Sequence, residues 1–278
     1  MDAYSNKIAI VTGGASGIGR AVARDLSRRG ASVVIADIDT VGAEKVLEEM
    51  RGQTGRSRFI KTDVAQRDQV HALVDETVKT FGRLDYMFNI AGIGMGGEFQ
   101  DMTIEMWNHV VEVDLLGVLY GCEAAYRVMI AQRSGHIVNM ASMTGLYGYP
   151  VASAYSMTKF AVVGLSQSLR SEGYGYGVKV SVVCPGLVDT PLFQTGIMVG
   201  LTNEEMLATV PLKFISPERA AESILKGVQR NKHFIVFPFY ARLAWWIYRI
   251  HPNLLTPFNK ALANRFRRLK KSEPAPKV

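Results

Sequence analysis

Cysteine is scarce in this 278-residue chain: Cys122 and Cys184 both sit inside apolar stretches, and no second thiol or histidine stands at a ligand spacing from either. A disulfide framework is thereby excluded, a zinc site has no donor set, and a reducing compartment is expected. No uncharged apolar run approaches the ~20 residues that span a bilayer. The first six residues carry neither a basic leader region nor a cleavage signal ahead of the apolar run Ile8–Val11, so no signal peptide is read. Acidic residues are nearly missing from the other end. Past position 240, nine Lys/Arg meet one acid, Glu273, a net +8, whereas the first 240 residues total −1. The basic excess belongs to the tail alone, and a nucleic-acid-binding catalytic body is not implied.

What the chain does have is two alternating periodicities. Short, β-branched runs read as buried parallel strands at Lys7–Thr12, Ser32–Ala36, Ser57–Lys61, Leu84–Asn89, Gly135–Met140 and Val178–Cys184, with a last one at Phe234–Phe237. Between them lie helical patterns; Gln66–Phe81 places Val70, Leu73, Val74, Thr77 and Phe81 on one face and stops at Gly82. Such alternation predicts an α/β, Rossmann-type doubly wound fold: a parallel sheet of about seven strands with helices on both faces. Ligands of such sheets bind beyond the carboxyl ends of the strands, so the loops after these runs should carry the chemistry.

The first loop reads Thr12-Gly13-Gly14-Ala15-Ser16-Gly17-Ile18-Gly19 and opens a helix. Glycines there permit a tight turn and close backbone approach to a pyrophosphate, and the helix N-terminus offers N–H donors. Asp37 stands 18 residues beyond Gly19, at the end of the second run. A carboxylate there accepts from an adenosine ribose and repels a 2′-phosphate, and neither Ser16 nor Ile38 supplies a cation for one. NAD is expected over NADP. The alternative for Asp37 alone is a solvated strand end.

Tyr155 and Lys159 lie at i and i+4 of an apolar helical run, so phenol and ammonium share one face. The ammonium should lower the phenol's pKa toward the range needed for acid–base work. Ser142 follows the fifth run, 13 residues before Tyr155, where its hydroxyl can hold a substrate oxygen near the phenol. Each feature alone has a bland reading as turn, solvated helix or loop serine; the three in order do not.

Together with Asn89-Ile90-Ala91-Gly92 and Pro185-Gly186, these motifs resemble the short-chain dehydrogenase/reductase family, in its classical subgroup, over residues 5–240. The resemblance implies that Asp63 and Val64 flank the adenine, and that Asn89, Ala91 and Gly92 line the cofactor cleft. It implies Tyr155 as acid/base, Lys159 on the nicotinamide ribose, Ser142 on the substrate oxygen, and Pro185, Gly186, Val188 and Thr190 against the nicotinamide. Dimers or tetramers are implied as well. One position departs: where the family places a catalytic Asn, this chain has Asp114, whose charge would alter the coupled Tyr155–Lys159 titration. A catalytically impaired nucleotide-binding regulatory protein of the same fold is the alternative that Asp114 supports. Asp85 is read as structural.

Residues 1–240 are thus expected to form the NAD-binding catalytic domain, with a substrate lid over about 190–215, and 241–278 a basic helical extension. Met95, Met143, Tyr149, Leu192 and Phe193 would join Ser142 around the substrate, with no Arg or Lys to clamp an anion. A lipophilic secondary alcohol or ketone, sterol-like, retinoid-like or long-chain, is the expected substrate of a cytoplasmic enzyme. In the extension, Leu243, Ile247, Ile250, Leu254, Phe258, Leu262, Phe266 and Leu269 recur every three or four residues, and Pro252 and Pro257 divide it into two helices. Its apolar face meets either an anionic membrane surface, peripherally, or the body or a second subunit. Nucleic acid is not expected, because basic composition is its sole support. Residues 272–278 are expected to be disordered.

Overall fold

The computed structural model describes residues 2–209 and 213–270. The disorder expected of 272–278 and the lid positions 210–212 lie outside them. In chain order the elements are β1 (Ile8–Thr12), α1 (Gly17–Arg28), β2 (Ser32–Asp37), α2 (Thr40–Glu49), β3 (Arg58–Lys61), α3 (Arg67–Phe81), β4 (Tyr86–Asn89) and a short β5 (Met95–Gly96). There follow α4 (Ile104–Val111), a π-helical turn at Glu112–Leu116, α5 (Gly117–Gln132), β6 (Gly135–Met140), α6 (Ser153–Gly173) and β7 (Val178–Pro185). The chain continues through α7 (Leu192–Thr195), β8 (Ile197–Met198), α8 (Asn203–Thr209), α9 (Pro217–Gln229), β9 (Phe234–Phe237), α10 (Phe239–Ile250) and α11 (Thr256–Leu269).

Seven strands form one parallel sheet in the order β3-β2-β1-β4-β6-β7-β9. Every residue of β1 is buried, which is why its sequence is a continuous apolar run rather than an alternation: helices cover both faces. Ile10 and Val34 pack toward α3, α5 and α6, while Val11, Val33 and Ile35 pack toward α1 and α9. Truncating one such side chain, as in Ile10→Ala, removes about 2–5 kcal/mol of stability. Asp85 is the structural residue expected: buried, it accepts from the Ile8 amide and pairs with Lys7 and Arg83 below the β1–β4 edge.

The strand order reverses between β1 and β4, whose carboxyl ends diverge into a crevice. Thr12 Oγ1 closes the bottom by accepting from the Ile90 and Ala91 amides at 3.0 and 3.1 Å. A second sheet joins β5 to β8 in parallel, Met95 opposite Ile197, and so ties the segment after Thr190 to the loop after β4.

Candidate active site

A single cavity of about 830 Å³ runs from the crevice to the C-terminal helices. Its near end is built from the β1–α1 loop. Gly13 holds φ +67°, and a Cβ there would stand 2.8 Å from Ala91 Cα; at Gly19 it would stand 2.0 Å from the Gly13 carbonyl oxygen. No larger residue fits either place. Ser16 caps α1 in an extended conformation without a side-chain cap bond, so the first-turn N–H groups, which lack helical partners, are free for an anion in the cavity that Gly17, Ile18 and Gly19 line. Asp37, at the end of β2, is fixed by accepting from the Ala15 and Asp39 amides at 2.9 and 3.0 Å. Ile38, Asp63, Val64, Ala91 and Gly92 share this end of the lining. Lys159 is the one lysine or arginine on the cavity lining among the described residues.

Asn89 departs from the reading above. It is buried behind the crevice, where Nδ2 donates to Asn139 Oδ1 at 2.8 Å and the side chain packs against Gly121 of α5. Its place is the sheet's interior, because alternate residues of β4 point to opposite faces and the loop turns toward the cleft only at Ile90. Ala36 and Thr62, on the lining, were not legible as site residues; both are small positions at strand ends.

Deeper in, three elements bring polar groups together. Ser142 follows β6, and its Oγ accepts from the Thr144 amide at 3.2 Å, leaving its own proton to donate. On α6, Tyr155 and Lys159 face the cavity, with the ammonium 5.2 Å from the phenol ring centre. The π-helical turn between α4 and α5 supplies Asp114, fully buried and off the lining. Its Oδ1 accepts from the Ile93 amide at 2.8 Å and its Oδ2 lies 3.0 Å from Lys159 Nζ. Lys159 also reaches the Met140 carbonyl, at 3.4 Å.

These contacts set the electrostatics. Burial works against the Lys159 ammonium, but Asp114 and Tyr155 outweigh it and hold Lys159 above its usual range. Burial pushes Asp114 up, opposed by Lys159 and the Ile93 amide. Tyr155 is raised, where the i to i+4 spacing predicts it lowered: burial dominates, Lys159 and a hydrogen bond from Ser142 oppose it, and the Asp114 charge adds to it. The Tyr–Lys spacing says nothing of that third charge, which comes from another helix.

The far end is apolar. Met95, Met143, Tyr149, Leu192 and Phe193 line it, as do Pro185, Gly186, Val188 and Thr190 at its junction with the near end. The structure adds Tyr240, at the boundary with the extension, and from the extension Ala244 of α10, Leu255, and Phe258, Leu262 and Phe266 of α11. The four-residue spacing of the last three marks an amphipathic helix in the sequence, yet not the surface it meets. Tyr240 is fixed by accepting from the Leu187 amide at 2.6 Å. A clasp holds α11: Arg267 donates to Glu98 at 2.6 Å, and Lys270 lies 3.2 Å from Glu98 and 2.5 Å from Asp101. Glu98 is buried there, and Arg267 first, then Lys270, draws its carboxyl below the usual range. So α11, and the inner face of α10, pack on the body.

The family model for short chain dehydrogenases matches residues 7–196. The chain belongs to the short-chain dehydrogenase/reductase family. Among its relatives, the cis-4-hydroxycyclohexanecarboxylate dehydrogenase of Sinomonas cyclohexanicum is 38% identical over 240 residues, 84% of this chain and 94% of the relative. The 3-oxoacyl-acyl-carrier-protein reductase FabG of Thermotoga maritima is 34% identical over 220 residues, covering 79% and 89%. Among solved structures, a short chain dehydrogenase/reductase from Burkholderia phymatum in complex with NAD superposes with a TM-score of 0.79 over the full length of both chains, at 23% identity. Family members act as oxidoreductases on small molecules and commonly assemble into oligomers. Among the described residues no helix is long and apolar enough to cross a membrane, and no cluster of potential metal ligands occurs.

Proposed function

We propose that this short-chain dehydrogenase/reductase interconverts a lipophilic secondary alcohol and its ketone, with NAD as cofactor. The observation that carries the reading is the convergence of Ser142, Tyr155 and Lys159 on a cavity whose far end is apolar and, among the described residues, free of any anion clamp. NAD fits the near end. The glycine walls leave room for a pyrophosphate against the open start of α1, and the Asp37 carboxylate suits a ribose diol and disfavours a 2′-phosphate. Asp63 and Val64 would flank the adenine; Ala91, Gly92, Pro185, Gly186, Val188 and Thr190 would line the path of the nicotinamide half.

Bound NAD would supply the ring that exchanges a hydride with the substrate carbon. The chain's own residues handle the proton and the geometry. The Ser142 hydroxyl, already aimed by the Thr144 amide, donates to the substrate oxygen and holds it beside the phenol. Tyr155 takes the alcohol proton on oxidation and returns it on reduction. Lys159 steadies the phenolate through space, and Asp114 holds Lys159 in place from behind. Met95, Met143, Tyr149, Leu192 and Phe193 exclude water around the substrate. The relatives' substrates, a hydroxycyclohexane carboxylate and an oxoacyl chain, share the alcohol–ketone chemistry in proteins of the same family.

Tyr155→Phe tests this reading. The variant should bind NADH as the parent does while turnover on any secondary alcohol the enzyme oxidises falls at least 100-fold. Turnover like the parent's would refute the role of Tyr155. A parent enzyme that binds NADH tightly but oxidises nothing in a broad alcohol panel would favour the regulatory alternative.

A further inference from the structure

The extension has two faces, and the active site uses one. Helix α10 turns Tyr240 and Ala244 into the cavity wall and packs Ala241, Trp245 and Tyr248 on the body. Its outer face carries Phe239, Leu243, Trp246 and Ile250, exposed by 70, 48, 57 and 76%, and Leu254 in the next turn continues them at 56%. At ~100° per residue, the four helical positions fall within an arc of about 40–60°, and Arg242 and Arg249 stand together at one edge of it. The Arg249 guanidinium lies 5.3 and 5.2 Å from the Trp245 and Trp246 rings. Residues 241–270 contain no acid, and among the described residues no carboxylate pairs with Arg242, Arg249, Lys260 or Arg268. Five large apolar side chains in one stripe are far beyond the scattered exposure of an ordinary surface.

The sequence offers the whole extension, with both its helices and the cationic run Arg265–Lys271, to lipid. The structure divides it. Phe258, Leu262 and Phe266 of α11 face the cavity, and Arg267 and Lys270 are engaged by Glu98 and Asp101. Among the described residues, what is left exposed is the outer face of α10.

We propose that this face is a docking surface for an anionic lipid membrane, on which α10 lies in the interfacial plane with Trp246 as its anchor. The charge pattern selects lipid over the other occupants. A second copy seated on the same patch by a two-fold axis would bring the +8 extension against itself, Arg242 and Arg249 included. Nucleic acid answers the arginines but gives the apolar stripe nothing to bury against. A bilayer surface with acidic headgroups satisfies both: acyl chains for the stripe, headgroups for the arginines, an indole at the boundary. Docking in this way does not depend on the substrate. If the substrate is lipophilic as proposed above, the cavity wall formed by Tyr240 and Ala244 is then one helix away from the bilayer that dissolves it.

Vesicle sedimentation of the full chain tests the surface without any substrate. Two vesicle types are used, phosphatidylcholine alone and seven parts phosphatidylcholine to three of phosphatidylglycerol. The parent should sediment with the anionic vesicles at ~0.1 M salt, and far less with neutral vesicles or at ~1 M salt, where the screening length is about 3 Å. Leu243→Glu/Trp246→Glu/Ile250→Glu should reduce the bound fraction at least tenfold with NADH binding and thermal midpoint unchanged. Arg242→Gln/Arg249→Gln, which leaves the stripe intact, should reduce binding several-fold on anionic vesicles alone. A parent that stays in the supernatant with both vesicle types overturns the proposal. So does a triple variant that sediments like the parent, which would assign any binding to the cationic run of α11. A triple variant that lowers the mass by light scattering while the parent ignores vesicles would give the stripe to a second copy.

Discussion

Replacing Asp114 by Asn isolates the charge that separates this site from the usual family arrangement. The Lys159 ammonium is 5.2 Å from the Tyr155 ring centre, and Asp114 Oδ2 is 3.0 Å from that ammonium, so carboxylate and ring centre lie at most about 8 Å apart. At an effective dielectric constant of ~20, a unit charge at ~8 Å is worth ~2 kcal/mol, or ~1.5 pH units, of opposition to the phenolate. Lys159 at its own distance contributes ~3 kcal/mol the other way. The carboxylate therefore cancels about two thirds of what the ammonium offers and adds to the burial that leads in holding Tyr155 above the ordinary phenol range. Asparagine keeps the oxygen that accepts from the Ile93 amide and removes the charge.

The Asp114→Asn variant should ionise Tyr155 at a pH lower by about 1–1.5 units. In the oxidation direction the phenolate is the active form, so the rising limb of kcat against pH should move to lower pH by that amount. A second readout requires no substrate: the phenolate absorbance titration of the variant, with that of Asp114→Asn/Tyr155→Phe subtracted, should show the same displacement. Stability must be followed in parallel. Lys159 has a folded pKa above its unfolded value, so its own contribution is complete below the unfolded lysine range and is lost as pH rises through the folded one. Asn at 114, its one oxygen held by the Ile93 amide, turns an N–H donor toward Lys159 and removes that contribution, leaving the ammonium the Met140 carbonyl; Asp114→Ala, which also strands the Ile93 amide, should cost ~3–5 kcal/mol. An unmoved limb, or one displaced to higher pH, would refute the electrostatic reasoning.

Three other outcomes follow from the geometry. Asp37→Ser/Ile38→Arg exchanges the carboxylate at the end of β2 for a cation and should raise kcat/KM with NADP by at least tenfold while lowering that with NAD, measured as initial rates with either cofactor. Gly19→Ala drives a methyl into the Gly13 carbonyl, so NADH binding by fluorescence should be lost and the thermal midpoint should fall by several degrees. Glu98→Ala opens the clasp on α11: KM for lipophilic alcohols should rise several-fold with NADH affinity unchanged, and limited proteolysis should cut α11 first. The same clasp gives a pH dependence. Glu98 has a depressed folded pKa, so its contribution is complete above about pH 4.5 and is lost as pH falls through the folded value, which proteolysis of α11 across pH 3–5 would register.

How much of this was legible in the sequence depends on whether a feature is local. The seven strands were, because a parallel strand covered on both faces is mostly an apolar run, as Ile8–Val11 is. Ser142, Tyr155 and Lys159 were legible because strand ends and an i to i+4 spacing fix directions over a few residues. Asn89 was misread for the same reason turned round: it belongs to the loop motif in sequence but to β4 in space, one residue before the chain bends into the crevice. Long-range partners left no trace. The period of Phe258, Leu262 and Phe266 declares an apolar face without naming its counterpart, and the clasp partner of Arg267 stands 169 residues earlier. Asp114 shows the limit most sharply. Its identity was conspicuous as a departure from the family pattern, yet whether it would disable Lys159 or secure it turned on a π-helical turn that aims the carboxylate at 3.0 Å from the ammonium and away from the cavity. That turn adds one residue to the helical repeat between α4 and α5, so the side chain's direction is set by a local departure from the 3.6-residue period. Pattern reasoning assumes that period holds, and the residue that tunes the site lies where it does not.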